Sequence, residues 1–498
     1  MMTLWLVLIP LIASLIVFFI RNEQAKRIAL LFSCLELVFG IYLLTKFDPL
    51  GKLQFESNFA WIPSAGINFH LGIDGIGILP VILTVLLVPF IILSAFETKY
   101  EKPHVFYGLI LLMQASLVGV FTAQGAFAYY LFWEGALIPV YFLAAVWGGE
   151  NRIRVTFKFF IYTVFGSLLM LIALVYMYMQ TPGSHSDEIQ AFYALGLSKD
   201  TQYIVFIGLF IAFAIKMPIF PFHTWQPDTY TISPTPATML LSGIMLKMGI
   251  YSVIRWLLPT TPTAVWDNST LVMTLSIIGL VYGAIIAIQQ KDIKRLLAYS
   301  SFSHVGLMVA GIFAFNHVGL QGAMIQMLAH GINVVGLFFV VDIIQRRTGT
   351  RNLADLGGIT QSAPVLTVLF AIIMLGSVGL PLTNGFVGEF MLLIGIFKFT
   401  YLNFAIMPLA IAITVGILAG STLIFGAVYM LRMFQGVMFG EKTLQTAEFK
   451  DVTFTEALVL VPIALLVMVM GIAPNIFIRL SEPATKELLD FVISKINK

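Results

Sequence analysis

Residues 202–221 read QYIVFIGLFIAFAIKMPIFP. The run has the length that crosses a bilayer as one helix, about 20 residues, yet it carries Lys216 and closes on Pro218 and Pro221. An ammonium at that depth costs about 2.5–3.5 kcal/mol on insertion scales, and a proline inside a helix removes a backbone donor and breaks the ladder. The pattern recurs in neighbouring apolar runs: Glu134 in AFAYYLFWEGALIPVYFLAAVW (126–147), Lys247 in PATMLLSGIMLKMGIYSVIRW (236–256) and Glu389 in NGFVGEFMLLIGIF (384–397). Ionisable groups kept at such depths mark an ion or proton pathway.

Composition sets the class. Hydrophobic residues make up 59% of the 498 and charged residues 11%, more apolar surface than a soluble fold can bury. The strict alternation of a membrane barrel is absent, so helices must satisfy the backbone within lipid. A net charge of +3 from 28 basic and 25 acidic residues offers no basic tract for nucleic acid. The single cysteine, Cys34, lies in an apolar helix and excludes disulfides, cysteine-ligated zinc and iron–sulfur clusters within the chain. The opening TLWLVLIPLIASLIVFFI has the length of a full span and no small-residue cleavage site, so it reads as the first helix rather than a signal peptide.

The expected fold is all-α and polytopic, about fourteen transmembrane helices separated by polar breaks. The spans are placed near 3–20, 28–45, 76–96, 105–122, 127–147, 157–179, 202–221, 238–258, 270–289, 296–314, 319–343, 363–397 with a break, 403–431 and 455–478. Basic residues concentrate on loops after odd-numbered spans (Arg21, Lys26, Arg27; Lys99, Lys102; Arg152, Arg154, Lys158; Lys291, Lys294, Arg295; Arg346, Arg347, Arg351; Arg432, Lys442, Lys450) and are sparse elsewhere. The positive-inside rule then puts both termini on the outer side.

Spans seven and twelve carry matched interruptions, Pro218 and Pro221 in KMPIFPFHTWQPD and Pro381 beside Asn384 and Gly385 in GLPLTNGFVGEF. They lie five spans apart. The pattern fits helices 4–8 (105–260) and 9–13 (261–434) as two copies of one unit, the second inverted, with helices 1–3 (1–104) before them and helix 14 and a tail (435–498) after. Paired broken helices in inverted repeats point to a transport site near the midplane; simple proline kinks are the bland alternative.

Glu134 and Lys216 fall on neighbouring members of the first repeat. Each stabilises the charged form of the other, so a change in their separation changes proton affinity; a static pair that fixes packing is the alternative. Lys247 has no carboxylate near it in sequence and suits a central proton carrier, unless it snorkels to an interface. His304 and His330, in the second repeat, exchange protons near neutral pH, or are merely hydrogen-bonded core residues. Gly331 beside His330 is expected to admit water. Glu389 is the last deep acid and the expected release group. Glu36 in the second span has no evident task, and Asp342 is expected to pair with Arg346 and Arg347. There is no nucleotide-binding loop, dinucleotide fingerprint or haem motif, so the driving energy, about 2.3 kcal/mol per charge per 100 mV, must come from a gradient or another subunit.

LFWEGALIPVYFLAAVWG (131–148), AFAIKMPIFPFHTWQPD (212–228), ISPTPATMLLSGIMLKMGIYSVIRW (232–256), DIKRLLAYSSFSHVGLMVAG (292–311), IQMLAHGINVVGLFF (325–339) and GLPLTNGFVGEF (379–390) together resemble the antiporter-like membrane subunits of proton-pumping NADH:quinone oxidoreductase, respiratory complex I. Multisubunit Na+/H+ antiporters and membrane-bound hydrogenases share these repeats and are the competing assignment. Within the family, Glu389 stands where the L and N types carry a lysine. The resemblance implies fourteen helices around a hydrophilic axis, with Glu134 and Lys216 as a functional pair, Lys247 as the central lysine, His304 and His330 as bridging histidines and Glu389 as the terminal acid. It implies no cofactor or metal in this chain, with NADH, FMN, iron–sulfur clusters and quinone handled by partner subunits. The partners implied are other membrane-arm subunits, especially those of L and N type, and the expected location is a bacterial inner (plasma) membrane.

Overall fold

The computed structural model describes residues 1–402 and 409–496. The start of the span expected at 403–431, and Lys498, lie outside them. Eleven helices among the described residues are long and apolar enough to cross a membrane. The elements that matter below are α1 (Met2–Phe19), α2 (Gln24–Lys46), β1 (Gln54–Ile62), β2 (Ile67–Ile73), α3 (Ile78–Ser94), α4 (Pro103–Thr122), α5 (Ala126–Trp147), α6 (Arg152–Gln180), α7 (Lys199–Lys216), α8 (Gln226–Ile232), α9 (Thr235–Thr260), α10 (Ser269–Gln289), α11 (Ile293–Ile312), α12 (His317–Thr348), α13 (Pro364–Val378), α14 (Asn384–Leu402), α15 (Leu409–Met438), α16 (Phe454–Ile472) and α17 (Asn475–Ile496).

Burial sorts them into an inner set and a lipid-facing shell. The best spanning window is wholly buried in α9 and 94% buried in α12, against 28% in α2 and 33% in α15. Since the spanning helices are apolar on their outer faces too, the shell helices present Leu35, Phe165, Ile172 and Ile424 outward, where only lipid gives them an apolar surrounding. The deep ionisable residues sit on or against the inner set.

Both proline-marked interruptions are present. α7 stops at Lys216, the chain runs irregularly through Met217–Trp225, and α8 resumes at Gln226. Trp225 Nε1 donates to Ile215 O across the break at 2.9 Å, satisfying one of the carbonyls an ended helix leaves open. In the second, α13 ends at Val378, Gly379 turns the chain with φ +76°, and α14 begins at Asn384. α9 carries a different irregularity, two π-helical turns at Leu241–Met245 and Val253–Leu257 on either side of Lys247.

Four local expectations are corrected. The all-α reading omits an antiparallel hairpin, β1 with β2, in register Ser57↔Leu71 and Phe59↔Phe69; its alternation is short and sits in a segment taken as loop. The span read as 455–478 ends at Ile472, and a separate amphipathic helix, α17, follows after Pro474 with Leu480, Leu488, Leu489 and Val492 buried. α12 continues past residue 343, so Arg346 and Arg347 lie on its last turn; there Arg346 pairs with Asp342 at 2.7 Å and both arginines bind the fully buried Glu456. Lys294, assigned to a loop, lies on the first turn of α11 and is 2% exposed.

Candidate functional site

Lys247 anchors the centre. The π-helical turn before it shifts the hydrogen-bond register by one residue and leaves a carbonyl free; Lys247 Nζ donates to Ser242 O, within that turn, at 2.6 Å. Its other contact is His330 Nδ1 on α12, at 2.8 Å. Glycines bring the two helices close enough for this: a Cβ on Gly331 would stand 2.8 Å from Gly243 O. Gly331 therefore serves helix approach.

From His330 the line continues to α11 and α14. The His304 and His330 rings are 5.8 Å apart between centroids, and His304 Nδ1 lies 3.1 Å from Glu389 Oε1, close but out of hydrogen-bond alignment. Glu389 is 3% exposed. Its carboxylate fills the notch left by Gly379, where a Cβ would come within 2.4 Å of Oε2, and Gln326 Nε2 donates to Oε1 at 3.4 Å. Lys247, His330, His304 and Glu389, drawn from four helices, thus line up as one file in which the first two are hydrogen-bonded and the others stand close without a direct bond.

Lys216 and Glu134 stand apart from that file. Lys216 Nζ is buried without a hydrogen-bond partner, as is Glu134 Oε1, so the two are not joined directly. The ammonium lies 5.1 Å from the Trp133 ring centroid, at cation–π distance. Glu36 is fully buried with neither carboxylate oxygen bonded. His223 stacks on Phe302 at 4.4 Å.

Sequence reasoning missed two amides beside the file, Gln326 and Asn333, and named Asn384 only as part of a helix break. His304 Nε2, His330 Nε2, Gln326 Oε1, Asn333 Oδ1 and Asn384 Oδ1 are all buried without a protein partner, the condition that favours bound water in a polar interior. Asn333 and Asn384 crowd the side-chain-free face of Gly376, 3.1 and 3.0 Å from its absent Cβ position. The signal for them was present as polar residues in apolar runs, but an amide carries no charge penalty and drew less weight.

A second polar assembly lies where the hairpin meets the helical body. Arg255, 3% exposed, donates to Asp74 Oδ2 at 2.5 Å and to Gln124 Oε1 at 2.9 Å. His70 on β2 has Glu188 at 2.8 Å on Nδ1 and Glu56 at 3.1 Å on Nε2. Burial disfavours the charged ring, but the two carboxylates outweigh it and raise the His70 pKa. Beside it, burial pushes Asp187 up to about 6 against the pull of backbone N–H bonds from Asn68 and Phe127. Among the described residues no group of three or more His, Cys, Asp or Glu is placed to hold a metal ion.

A sequence profile for the family described as NADH:quinone oxidoreductase/Mrp antiporter, transmembrane, matches residues 123–414, which contain every residue of the file. NADH-quinone oxidoreductase subunit M of Rickettsia typhi is 38% identical over 500 residues, covering 97% of each chain. F(420)H(2) dehydrogenase subunit M of Methanosarcina mazei is 35% identical over 484 residues, covering 94% of each. Among solved structures, a chain of respiratory complex I from Thermus thermophilus with bound NADH superposes with a TM-score of 0.89 at 29% identity, covering 99% of this chain and 100% of that one.

Proposed function

The chain belongs to the NADH:quinone oxidoreductase/Mrp antiporter transmembrane family, and from that premise we propose that it is the M-type proton-translocating subunit of the membrane arm of an NADH:quinone oxidoreductase. It is one component of a translocase. NADH, FMN, iron–sulfur clusters and quinone belong to partner subunits, and L- and N-type subunits are its neighbours in a bacterial inner membrane. We read residues 105–260 and 261–434 as inverted five-helix repeats within fourteen membrane helices, flanked by 1–104 and 435–498, with both termini outside.

The observation that carries the reading is the file Lys247, His330, His304, Glu389, hydrogen-bonded at its first step, with 5.8 Å between the two ring centroids and 3.1 Å from His304 Nδ1 to Glu389 Oε1 at the next two. A 2.8 Å contact between Lys247 Nζ and His330 Nδ1 needs one N–H facing one lone pair. Both groups cannot be cationic at once: two like charges at that distance repel by ~6 kcal/mol even at an effective dielectric constant of ~20. The pair therefore holds one proton at a time. A proton arriving at Lys247 favours its loss from His330, toward His304 and Glu389 beyond it. Charge moves along the file as a succession of single occupancies. Lys216 and Glu134 form the first station, whose charge biases Lys247.

The decisive experiment substitutes Lys247→Ala and Glu389→Ala separately in the intact complex and measures proton pumping beside NADH oxidation in reconstituted vesicles. Both lose pumping on this reading; wild-type pumping in both refutes it. The Methanosarcina relative supports a second reading only for the electron donor, since F420H2 oxidation would drive the same membrane chemistry.

A further inference from the structure

Among the described residues outside the file, Lys294 joins Lys216 as a deeply buried lysine whose ammonium touches no carboxylate. Its Nζ donates to Ser233 O, at the end of α8, at 2.5 Å. A single neutral carbonyl is poor compensation for an ammonium that is 2% exposed, because burying a charge is costly unless it is paired. Arg255, buried to the same degree, has Asp74 against it. Lys294 is therefore expensive in the way that first drew attention to Lys216.

Its surroundings form a closed entrance. Asp292 caps α11, its Oδ1 accepting from Lys294 N at 2.8 Å and Arg295 N at 3.1 Å. Asp292 Oδ2 holds Arg351 Nη2 at 2.9 Å, and Arg351 Nη1 reaches across to Thr231 O at 3.0 Å. Beyond this pair lies an open cavity of about 490 Å³ lined by Asp292, Arg351, Lys291 and Asn352, on the side the basic loops mark as inner. The half-buried Asp292–Arg351 pair thus joins the first turn of α11, which carries Lys294, to the wall of that cavity.

Toward the centre, α11 presents residues 294, 298, 301 and 304 at helical spacing on one face. Ala298 O accepts from Gln226 Nε2 at 3.1 Å. Ser301 Oγ lies 3.4 Å from Ser242 Oγ, and Ser242 O accepts from Lys247 Nζ. Gln226 Oε1 and the Tyr230 hydroxyl are buried along the same strip without a protein partner. Lys294 and Ser301 are seven residues apart, about 10 Å along the helix, which a few waters on these polar atoms bridge.

We propose that Lys294 is the inner-side proton-loading group of this chain, gated by the Asp292–Arg351 pair and emptying through the Gln226, Tyr230, Ser242 and Ser301 strip to Lys247. In each cycle the ammonium gives one proton to strip water and becomes an amine, and the amine then takes one proton from inner water; no electrons move. The inference rests on the proton-translocating reading above.

The test uses the intact complex in vesicles, with Lys294→Arg, Lys294→Met and, as a control on that reading, Lys247→Ala. Arginine keeps the charge and the bond to Ser233 but does not deprotonate in a protein. Loss of pumping in both Lys294 variants, with assembled complex at normal yield, is the expected result. Wild-type pumping in Lys294→Arg, with Lys247→Ala defective, overturns the loading role and leaves Lys294 an anchor; wild-type pumping in Lys247→Ala overturns the reading beneath it. Should neither Lys294 variant assemble, Gln226→Leu breaks the strip further in: pumping lost supports the route, and pumping kept overturns it.

Discussion

Replacing Lys216 with methionine separates a functional charge from a structural one. The ammonium costs about 2.5–3.5 kcal/mol in a membrane helix. It has no hydrogen-bond partner; the close contact that offsets it is the Trp133 ring at 5.1 Å, worth about 2 kcal/mol when desolvated, with Glu134 attracting it from beyond hydrogen-bond reach. Methionine fills similar volume, keeps the aromatic contact through sulfur and needs no charge compensation. The balance favours the variant by about 1 kcal/mol, roughly a five-fold change in an equilibrium or rate. The assay heats purified complex at one temperature and follows the half-life of the assembled state, because large membrane complexes dissociate irreversibly and are compared by rate. The half-life is expected to hold or lengthen by up to about five-fold, while proton pumping per NADH falls. A shorter half-life with pumping intact would refute the reasoning and make Lys216 a packing residue whose partner lies in Glu134.

Two further outcomes follow from the geometry. Gly379→Ala forces a Cβ to within 2.4 Å of Glu389 Oε2 at φ +76°, where the left-handed backbone alone costs about 1–2 kcal/mol, so pumping should fall while the complex still assembles; wild-type pumping would show that Glu389 has freedom to move. His70 takes the raised pKa of a doubly bonded imidazolium, so the anchoring it gives the hairpin is complete below the unperturbed histidine pKa, about 6.5, and is lost as pH rises through the higher folded value; hydrogen exchange of residues 54–73 should accelerate across that alkaline step in wild type and show no such step in His70→Gln.

How much of this could be read from the chain depends on which interactions have a one-dimensional signature. Apolar run length, a lysine or glutamate within such a run and paired prolines are local, and they placed Lys216, Lys247, Glu389 and both broken helices. The hairpin at 54–73 was missed because it lies between spans, where membrane periodicity gives no guidance. Lys294 was missed because four charged residues within 291–295, Lys291, Asp292, Lys294 and Arg295, read as solvated loop; the fold of Thr231–Ser233 and Arg351 against them buries Lys294. The contact of Lys247 with His330 joins positions 83 apart, and no local pattern carries that distance.

A single physical rule connects the residues that sequence found with those it did not. In lipid an ordinary helix spends its backbone on itself and has nothing to offer a charge. Lys216, Lys247 and Glu389 stand where the helix is spoiled, whereas Glu36 and Glu134 lie in unbroken helices. Lys216 is the last residue of α7 at a break, Lys247 follows a π-helical turn whose Ser242 carbonyl it takes, and Glu389 packs into the Gly379 notch of the second break. His304 and His330 lie in regular helices, and there glycine does the equivalent work. Gly306 sets α11 against the α10 backbone at Ser276 O, and Gly331 sets α12 against α9 at Gly243 O, so the imidazoles reach partners on neighbouring helices instead of local carbonyls. Lys294 obeys the same rule, since the carbonyl it takes, Ser233 O, belongs to the residue that ends α8. Helix defects are thus the supply of polar backbone on which the proposed proton path draws, and a substitution that crowds such a defect, such as Gly379→Ala, should impair transport more than it impairs stability.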